Sequence, residues 1–409
     1  MNSLRCRVGL DSLNFFIAAV QTGFGPFFSV YLTERGWSQV DIGVALSIGT
    51  AAVLLLQLPA GVLVDAIHHK RFANGLGLLL LGLSVLILLA QPAPGPVWAA
   101  QVVHAMASCI LTPAIAALTL ALCGHDAFSE RLGINARYAS LGSATAAALL
   151  GAIAFYLSER AVFVAVAVMV IPAIITLPLF RHSDRVLEAD HPSLLHPRER
   201  RQRNQKPWHI FREPALQVFA LCAVLFSLAN AAMLPLALNE LAKRTDASGF
   251  VISASIIVPQ AIVALCSPWA GRMSQQIGRR PILLVGFAAL PLRGILFVDL
   301  PSAIPLVVIE TLDGISGTVF GLMVPLIAAD VTKRSGFLNL AISSIGLAVG
   351  LGATVSTTLA GWLADHLGAP MAFFSLAVIG LGALLAVWSW MPETRPGNPL
   401  TDRPATAAA

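Results

Sequence analysis

Gly61-Val-Leu63-Val-Asp65-Ala-Ile-His68-His69-Lys70-Arg71 is answered, 210 positions further on, by Gly271-Arg-Met273-Ser-Gln275-Gln-Ile-Gly278-Arg279-Arg280. Each stretch opens on a glycine at the end of a long apolar run and closes on a basic pair. The chemistry of the pattern can be read directly. Gly61 and Gly271 let neighbouring helices approach closely. A carboxylate at Asp65 suits the N-terminal end of a facing helix, where unpaired N–H groups and the helix dipole favour an anion. The basic run, Lys70 and Arg71 in the first copy and Arg279 and Arg280 in the second, anchors each turn among anionic headgroups. In the second copy Gln275 stands four residues after the glycine, where the first copy has Asp65, so that copy lacks the anion.

The apolar runs around the two motifs set the fold class. Phe72 to Val103 is free of Asp, Glu, Lys, Arg and His, and six further runs lack Asp, Glu, Lys and Arg: 138–158, 161–180, 214–239, 247–271, 335–364 and 367–392. A helix needs about 20 apolar residues to cross about 30 Å of hydrocarbon. With turns at Gln91-Pro-Ala-Pro-Gly-Pro96 and Leu300-Pro301, the pattern predicts twelve spans. Their expected limits are 11–33, 40–64, 72–91, 96–122, 135–157, 161–180, 214–239, 249–271, 281–298, 303–329, 337–361 and 370–391. Composition agrees. Hydrophobic residues are 57% and charged residues 11% of the chain, against roughly 45–50% and 25% in soluble domains, and mean hydropathy is +0.79. A soluble, disordered, collagenous or disulfide-stapled protein is excluded. The runs lack the alternating period of about ten residues that barrel strands show. The fold class expected is an all-α membrane protein of twelve transmembrane helices.

Lys and Arg orient it. With both termini cytoplasmic, inside segments hold 21 of the 26 basic residues; outside loops hold Arg35, Arg160, Lys243 and Arg244, and Arg293 lies within a span. That is a strong positive-inside bias. The net charge of +5 then reports topology and contact with membrane lipid, not nucleic-acid binding. The start, Met1 to Leu10, has no cleavable-signal design. The expected location is the inner (plasma) membrane, multi-pass.

Composition changes abruptly at residues 181–212, where Arg198-Glu-Arg-Arg-Gln-Arg203 and His182, His191, His196 and His209 fall. This reads as a cytoplasmic basic linker, because the histidines lack metal-ligand spacing. It separates an N-terminal six-helix bundle (1–180) from a C-terminal one (213–391), with 392–409 as a disordered cytoplasmic tail. The halves correspond at nearly one offset: Gly61 with Gly271, His104 with Asp313, Asn135 with Asn339, and Phe163 with Phe373. Parallel repeats of this kind place a substrate site at their interface near the bilayer midplane. The five cysteines, Cys6, Cys109, Cys123, Cys222 and Cys266, show no paired spacing and read as small apolar side chains.

On these motifs the chain resembles the major facilitator superfamily over essentially its whole length. The family's signature after span two reads Gly-x-Leu-x-Asp-x-x-Gly-basic-basic, which Gly61, Leu63, Asp65, Lys70 and Arg71 match. His68 stands where the turn glycine is expected. The resemblance implies two pseudo-symmetric six-helix bundles joined on the inside by a gating latch of Gly61, Asp65, Lys70, Arg71, Gly271, Gly278, Arg279 and Arg280. It also implies that the start of span eleven partners the latch and that the latch stabilises an outward-open state. Two marks of the family's proton-coupled drug exporters are missing. The span-four arginine is absent where Gln101, His104 and Ala105 stand, and span five shows Gly142-Ser-Ala-Thr-Ala and Gly151 in place of the glycine-proline run.

Polar residues within the spans supply the remaining expectations. An ionised group at bilayer depth costs about 2.5–3.5 kcal/mol on insertion scales and calls for a partner or a wet cavity. Arg293 and Glu310 fall at similar depth on consecutive helices and are expected to pair. Asp313, one turn deeper, is left as the titratable group, so Glu310 or Asp313 becomes the candidate proton acceptor. Gln21 and Asn230 lie on the first and seventh spans, which the resemblance implies line the substrate cavity, and with His104 they are expected to face it. Gln57 and Gln260 read as helix–helix hydrogen bonders, Asp11, Ser12 and Asn14 as a helix cap, and Asn135 and Arg137 as interfacial.

Hydrolytic apparatus is absent: there is no His-Glu-x-x-His, no Gly-x-x-x-x-Gly-Lys-Ser/Thr and no Gly-x-Ser-x-Gly. The expectation is a monomeric secondary transporter with no enzyme activity, cofactor or metal. It moves a small, partly hydrophobic organic solute by alternating access, as proton-coupled efflux. The alternatives are an uptake permease and, in another class, a non-transporting sensor or scaffold.

Overall fold

The computed structural model describes residues 4–24, 26–67, 69–90, 93–180, 207–244, 249–299, 302–333 and 335–395. All regular structure among them is helical, as a bilayer requires of a non-barrel chain that must satisfy its own backbone hydrogen bonds. His68, residues 181–206 of the expected linker and residues 396–409 of the expected tail lie outside the described residues.

The first half contains α1 (Leu4–Thr22), α2 (Pro26–Glu34), α3 (Gln39–Ala66), α4 (Lys70–Ala90), α5 (Pro94–Tyr156) and α6 (Glu159–Thr176). The second contains α7 (Pro214–Asn230), α8 (Met233–Arg244), α9 (Gly249–Gln276), α10 (Arg279–Val298), α11 (Ala303–Thr332), α12 (Leu338–Leu367) and α13 (Ala369–Trp390). Among the described residues ten helical segments are long and apolar enough to cross a membrane. One of them, α5, has 63 residues, about 95 Å at 1.5 Å per residue, and it turns at Gly124, whose φ of 68° breaks the helix into two. Counting α5 twice and the interrupted α1–α2 stretch once accommodates twelve passes. Leucine and valine side chains such as Leu55, Leu79, Leu265 and Val285 are well exposed, which places apolar surface on the outside, where lipid rather than water is the solvent.

Several boundaries differ from the sequence reading. The first span begins at Leu4, because Leu10, Leu13 and Ile17 carry a buried stripe back toward the terminus. Asp11 and Asn14 therefore sit about two to three turns inside α1 and do not cap it. Asn14 returns its amide to the Leu10 carbonyl at 2.7 Å, and Asp11 pairs with buried Arg131. The stretch between the expected fourth and fifth spans is helical apart from Gly124, since polar residues beyond the hydrocarbon are solvated without leaving the helix. Residues 207–212, the end of the expected linker, form a 3₁₀ turn. The tail also begins later than expected: Met391 and Thr394 are buried, and Glu393 accepts from the Arg279 and Arg280 N–H groups at 2.8 and 3.1 Å.

Within the first half α1, α3, α4 and α6 pack on α5; within the second, α9 and α10 pack on α11, α10 on α13, and α7 on α12 and α13. The halves meet principally where α3 crosses α12 and where α5 crosses α9. One hydrophobic core runs through this junction, taking Phe128 and Leu132 from the first half and Phe219, Met323 and Ile345 from the second. The remaining core of the first half, built on Leu13, Leu81 and Phe163, stays within that half.

Candidate functional site: an interhelical latch and a buried charge cluster

At the crossing of α3 and α12 the Asp65 carboxylate lies against the first turn of α12. One oxygen accepts from the Asn339 N–H at 3.0 Å and from the Asn339 side-chain amide at 2.6 Å, and the other accepts from the Leu340 N–H at 2.9 Å. Asp65 thus satisfies N–H groups that have no partner within their own helix. Gly61, one turn earlier, makes this approach possible: a Cβ there would lie 2.6 Å from the Ser343 hydroxyl and 2.9 Å from the Asn339 carbonyl. Lys70 closes the end of α3, donating to the Val64 and Ile67 carbonyls at 2.8 Å each. The Arg71 guanidinium rests over the Phe72 ring, 5.2 Å from its centroid.

The second copy is built differently. Gly271 faces Gly133 where α9 crosses α5, and a Cβ at 271 would lie 2.5 Å from the Ser129 carbonyl. Gln275 donates to the Asp126 carbonyl, and Arg272 pairs with Glu130 at 3.2 Å, both largely exposed. Gly278, with φ of 107°, turns the chain into α10. Arg279 and Arg280 engage their own half. Buried Arg279 meets Asp330 at 3.0 Å and the Ser274 carbonyl at 3.0 Å, while Arg280 donates to the Trp388 carbonyl. The crossing also contains Arg137, which donates to the Ala264 carbonyl at 3.0 Å.

The other cluster lies inside the second half. Arg293 on α10, only 1% exposed, donates to Glu310 at 2.7 Å, to Asp313 at 2.6 Å and to Asn230 at 2.7 Å. Glu310 and Asp313 stand one turn apart on α11, and Asn230 is the last residue of α7 before the break that leads to α8. The Phe297 ring covers the guanidinium at 5.5 Å. Glu310 is fully buried and its second oxygen has no hydrogen-bond partner, whereas the Asp313 side chain keeps 28% of its surface. One cation thus faces two carboxylates, one sealed and one accessible.

The matching positions of the first half carry no charge. Half-buried His104 stacks on Phe24 with ring centroids 3.9 Å apart, and its Nδ1 is buried without a partner. Gln101 is buried beside it, one turn earlier on α5. Gln21 is half-buried and precedes the α1–α2 break as Asn230 precedes the α7–α8 break. Gln57 accepts from the Cys109 thiol at 3.2 Å, and Gln260 is half-buried on α9. Arg131 reads in the sequence only as a loop charge. In the structure it bridges Asp11 and Asn135, the latter at 2.9 Å, and Asn135 donates onward to Thr119 at 2.8 Å. A basic residue just before an apolar run carries no sign of a partner 120 positions away. Among the described residues no group of His, Cys, Asp and Glu could hold a metal ion.

Comparison with known proteins gives one consistent result. The Major Facilitator Superfamily profile matches residues 10–228 and again residues 219–407. The MFS-type transporter Rv2456c of Mycobacterium tuberculosis is 34% identical over 393 residues, covering 94% of this chain and 93% of the relative. The tetracycline resistance protein, class B, of Escherichia coli is 28% identical over 172 residues, 42% of this chain and 41% of that protein. The multidrug resistance protein D of Escherichia coli is 29% identical over 132 residues, 31% of this chain and 32% of that protein. Among solved structures, the human organic anion transporter MFSD10 (TETRAN) superposes with a TM-score of 0.69 at 14% identity, covering 94% of this chain and 100% of that one. A variant of the Escherichia coli fucose:proton symporter FucP gives 0.66 at 12% identity, covering 94% and 98%.

Proposed function

The chain belongs to the Major Facilitator Superfamily, a family of multi-pass membrane transporters rather than enzymes, and from that premise we propose that it exports a small, partly hydrophobic organic solute in exchange for protons. The observation that carries this reading is the Arg293–Glu310–Asp313–Asn230 cluster. With both carboxylates ionised the cluster holds one uncompensated negative charge in a low-dielectric setting, and a proton removes it. Glu310 or Asp313 takes the proton, which arrives past Asp313, the accessible member, while Arg293 holds the frame. A cavity between the halves, lined by Gln21, Asn230 and His104 with apolar residues around them, binds the solute. Protonation releases Arg293 from that carboxylate and lets the Asn230 end of α7 move relative to α10. The names of the two resistance proteins support export of an organic compound. The Asp65 and Gly61 latch holds the halves together at one end while the cavity opens at the other. The positive-inside count supports placing that end, and both termini, in the cytoplasm of an inner (plasma) membrane, and the transporter works as a monomer without a cofactor.

The test is transport in inverted membrane vesicles with an imposed gradient, acid inside, screened over organic solutes beginning with tetracyclines. The expected result is accumulation that collapses with the gradient and is lost in Asp313→Asn. Accumulation unaffected by either change, or movement of solute out of such vesicles with the protons, would contradict proton-coupled export.

A further inference from the structure

Between the halves, on the latch side, a groove of about 290 Å³ is lined by Leu58 of α3, by Ala220, Leu221 and Val224 of α7, by Leu351 of α12 and by Phe211. Its polar side chains are internally satisfied: Gln217 donates to the Phe211 carbonyl at 2.7 Å and Ser344 to the Leu340 carbonyl at 2.6 Å. Leu221 and Leu351 on its rim are 44% and 49% exposed, so the groove opens outward to the lipid. From Gln217 to Val224 and from Ser344 to Leu351 it follows two helical turns on each wall, about 11 Å. That length fits within one leaflet, about 15 Å of a 30 Å hydrocarbon layer. A second copy's transmembrane helix, which runs the full thickness, does not match so short a groove; a single acyl chain does.

The end of the groove supplies the other half of the ligand. The 3₁₀ turn Pro207–Arg212 buries Ile210, half-buries Phe211 and leaves Trp208, His209 and Arg212 exposed. Trp208 stacks on Phe211 with centroids 5.9 Å apart, an arrangement suited to the membrane interface. Glu213, also exposed, stands at the N-terminus of α7, where the helix dipole accommodates its charge. The chain that leads into this turn is the most basic in the sequence, with Arg198, Arg200, Arg201, Arg203 and Lys206. We propose that the groove binds one acyl chain of an anionic phospholipid from the latch-side leaflet, with the phosphate held at Arg212. Because Leu58 belongs to one half and the other lining residues to the other, an acyl chain seated there touches both and favours the conformation in which the latch is closed.

The experiment is photolabelling of the purified full-length transporter in vesicles of phosphatidylcholine with a minor fraction of phosphatidylglycerol carrying a photoactivatable acyl chain. Adducts are mapped by mass spectrometry. Labelling is expected to concentrate on residues 211–224 and 344–351. Filling the groove by Ala220→Trp, or from the opposite wall by Leu351→Trp, should lower it by about fivefold. Leu385→Trp, on the exposed face of α13, should leave it unchanged, and Arg212→Glu should abolish the preference for phosphatidylglycerol over an equally labelled phosphatidylcholine. Uniform labelling of the apolar surface, indifference to both groove-filling substitutions, equal labelling by the two lipids in the native protein, or protein–protein adducts in place of lipid adducts would overturn the proposal.

Discussion

Arg293 shows what one residue does in a setting that cannot solvate it. Two carboxylates, Glu310 and Asp313, offset a charge that would otherwise exclude α10 from the hydrocarbon, the Asn230 amide accepts a third hydrogen bond, and Arg293 in turn gives the two carboxylates a shared counter-charge inside the protein. Removing one member of a buried pair costs about 3–5 kcal/mol, whereas replacing both with apolar groups of similar volume is often close to neutral. Arg293→Gln should therefore lower the unfolding temperature of the detergent-solubilised protein clearly, and Arg293→Met combined with Glu310→Met should restore most of it while transport stays lost. Equal stability of the single and double variants would show that the two charges do not depend on each other. Part of this site was legible in the sequence, because Arg293, Glu310 and Asp313 break long apolar runs at matching depths and helical spacing brings the two carboxylates onto one face. The contribution of Asn230 to the same cluster was not, because nothing in an amide at the end of a span indicates which helix it meets. The Asp11–Arg131 pair was hidden for a similar reason: each residue has an ordinary explanation in its own segment.

Helices meet in this protein by two devices, an anion on a helix end and glycines at a crossing. Asp65 against the first turn of α12 combines three hydrogen bonds with the field of the helix terminus. Asp65→Asn keeps the shape and removes the charge, a loss of about 1–2 kcal/mol, or roughly a tenfold shift in the closure equilibrium. The expected outcome is weaker transport and faster modification of Cys123, one residue before the Gly124 break of α5, by a thiol reagent applied from the latch side. Unchanged labelling would separate Asp65 from gating. Gly133→Val tests the second crossing, since any Cβ at 133 runs into the Ser267 carbonyl. The substitution should open the latch side more than Asp65→Asn does, measured by the same labelling; a smaller effect would make the glycine crossing incidental. The sequence pointed to both crossings through the duplicated glycine motif. It did not show that the Arg279 side chain would turn inward to Asp330 and the Ser274 carbonyl, because a basic pair after a glycine reads equally well as a headgroup anchor. Nor did it show that helix continues on either side of Gly124, because apolar runs mark where the bilayer is and not where the helix stops.

For the whole molecule, the proposed alternating access requires a second arrangement in which the junction of α3 with α12 and of α5 with α9 parts and the other end closes. A many-pass helical membrane fold in two related halves was legible from hydropathy and from the near-constant offset between halves, since both depend on composition and spacing alone. The relative placement of the halves also depends on contacts between residues far apart in the chain, such as Arg137 with the Ala264 carbonyl, which no local pattern encodes. The most direct test of alternating access uses a cysteine-free background with spin labels at two pairs of positions, 127 with 276 on the latch side and 35 with 239 on the other. Distances are measured by pulsed electron resonance with and without transported solute, at neutral and at acidic pH. Reciprocal changes are predicted, the first pair lengthening as the second shortens, with a bias of Asp65→Asn toward the long 127–276 distance. Two pairs that stay fixed, or that lengthen together, would contradict alternating access about this junction.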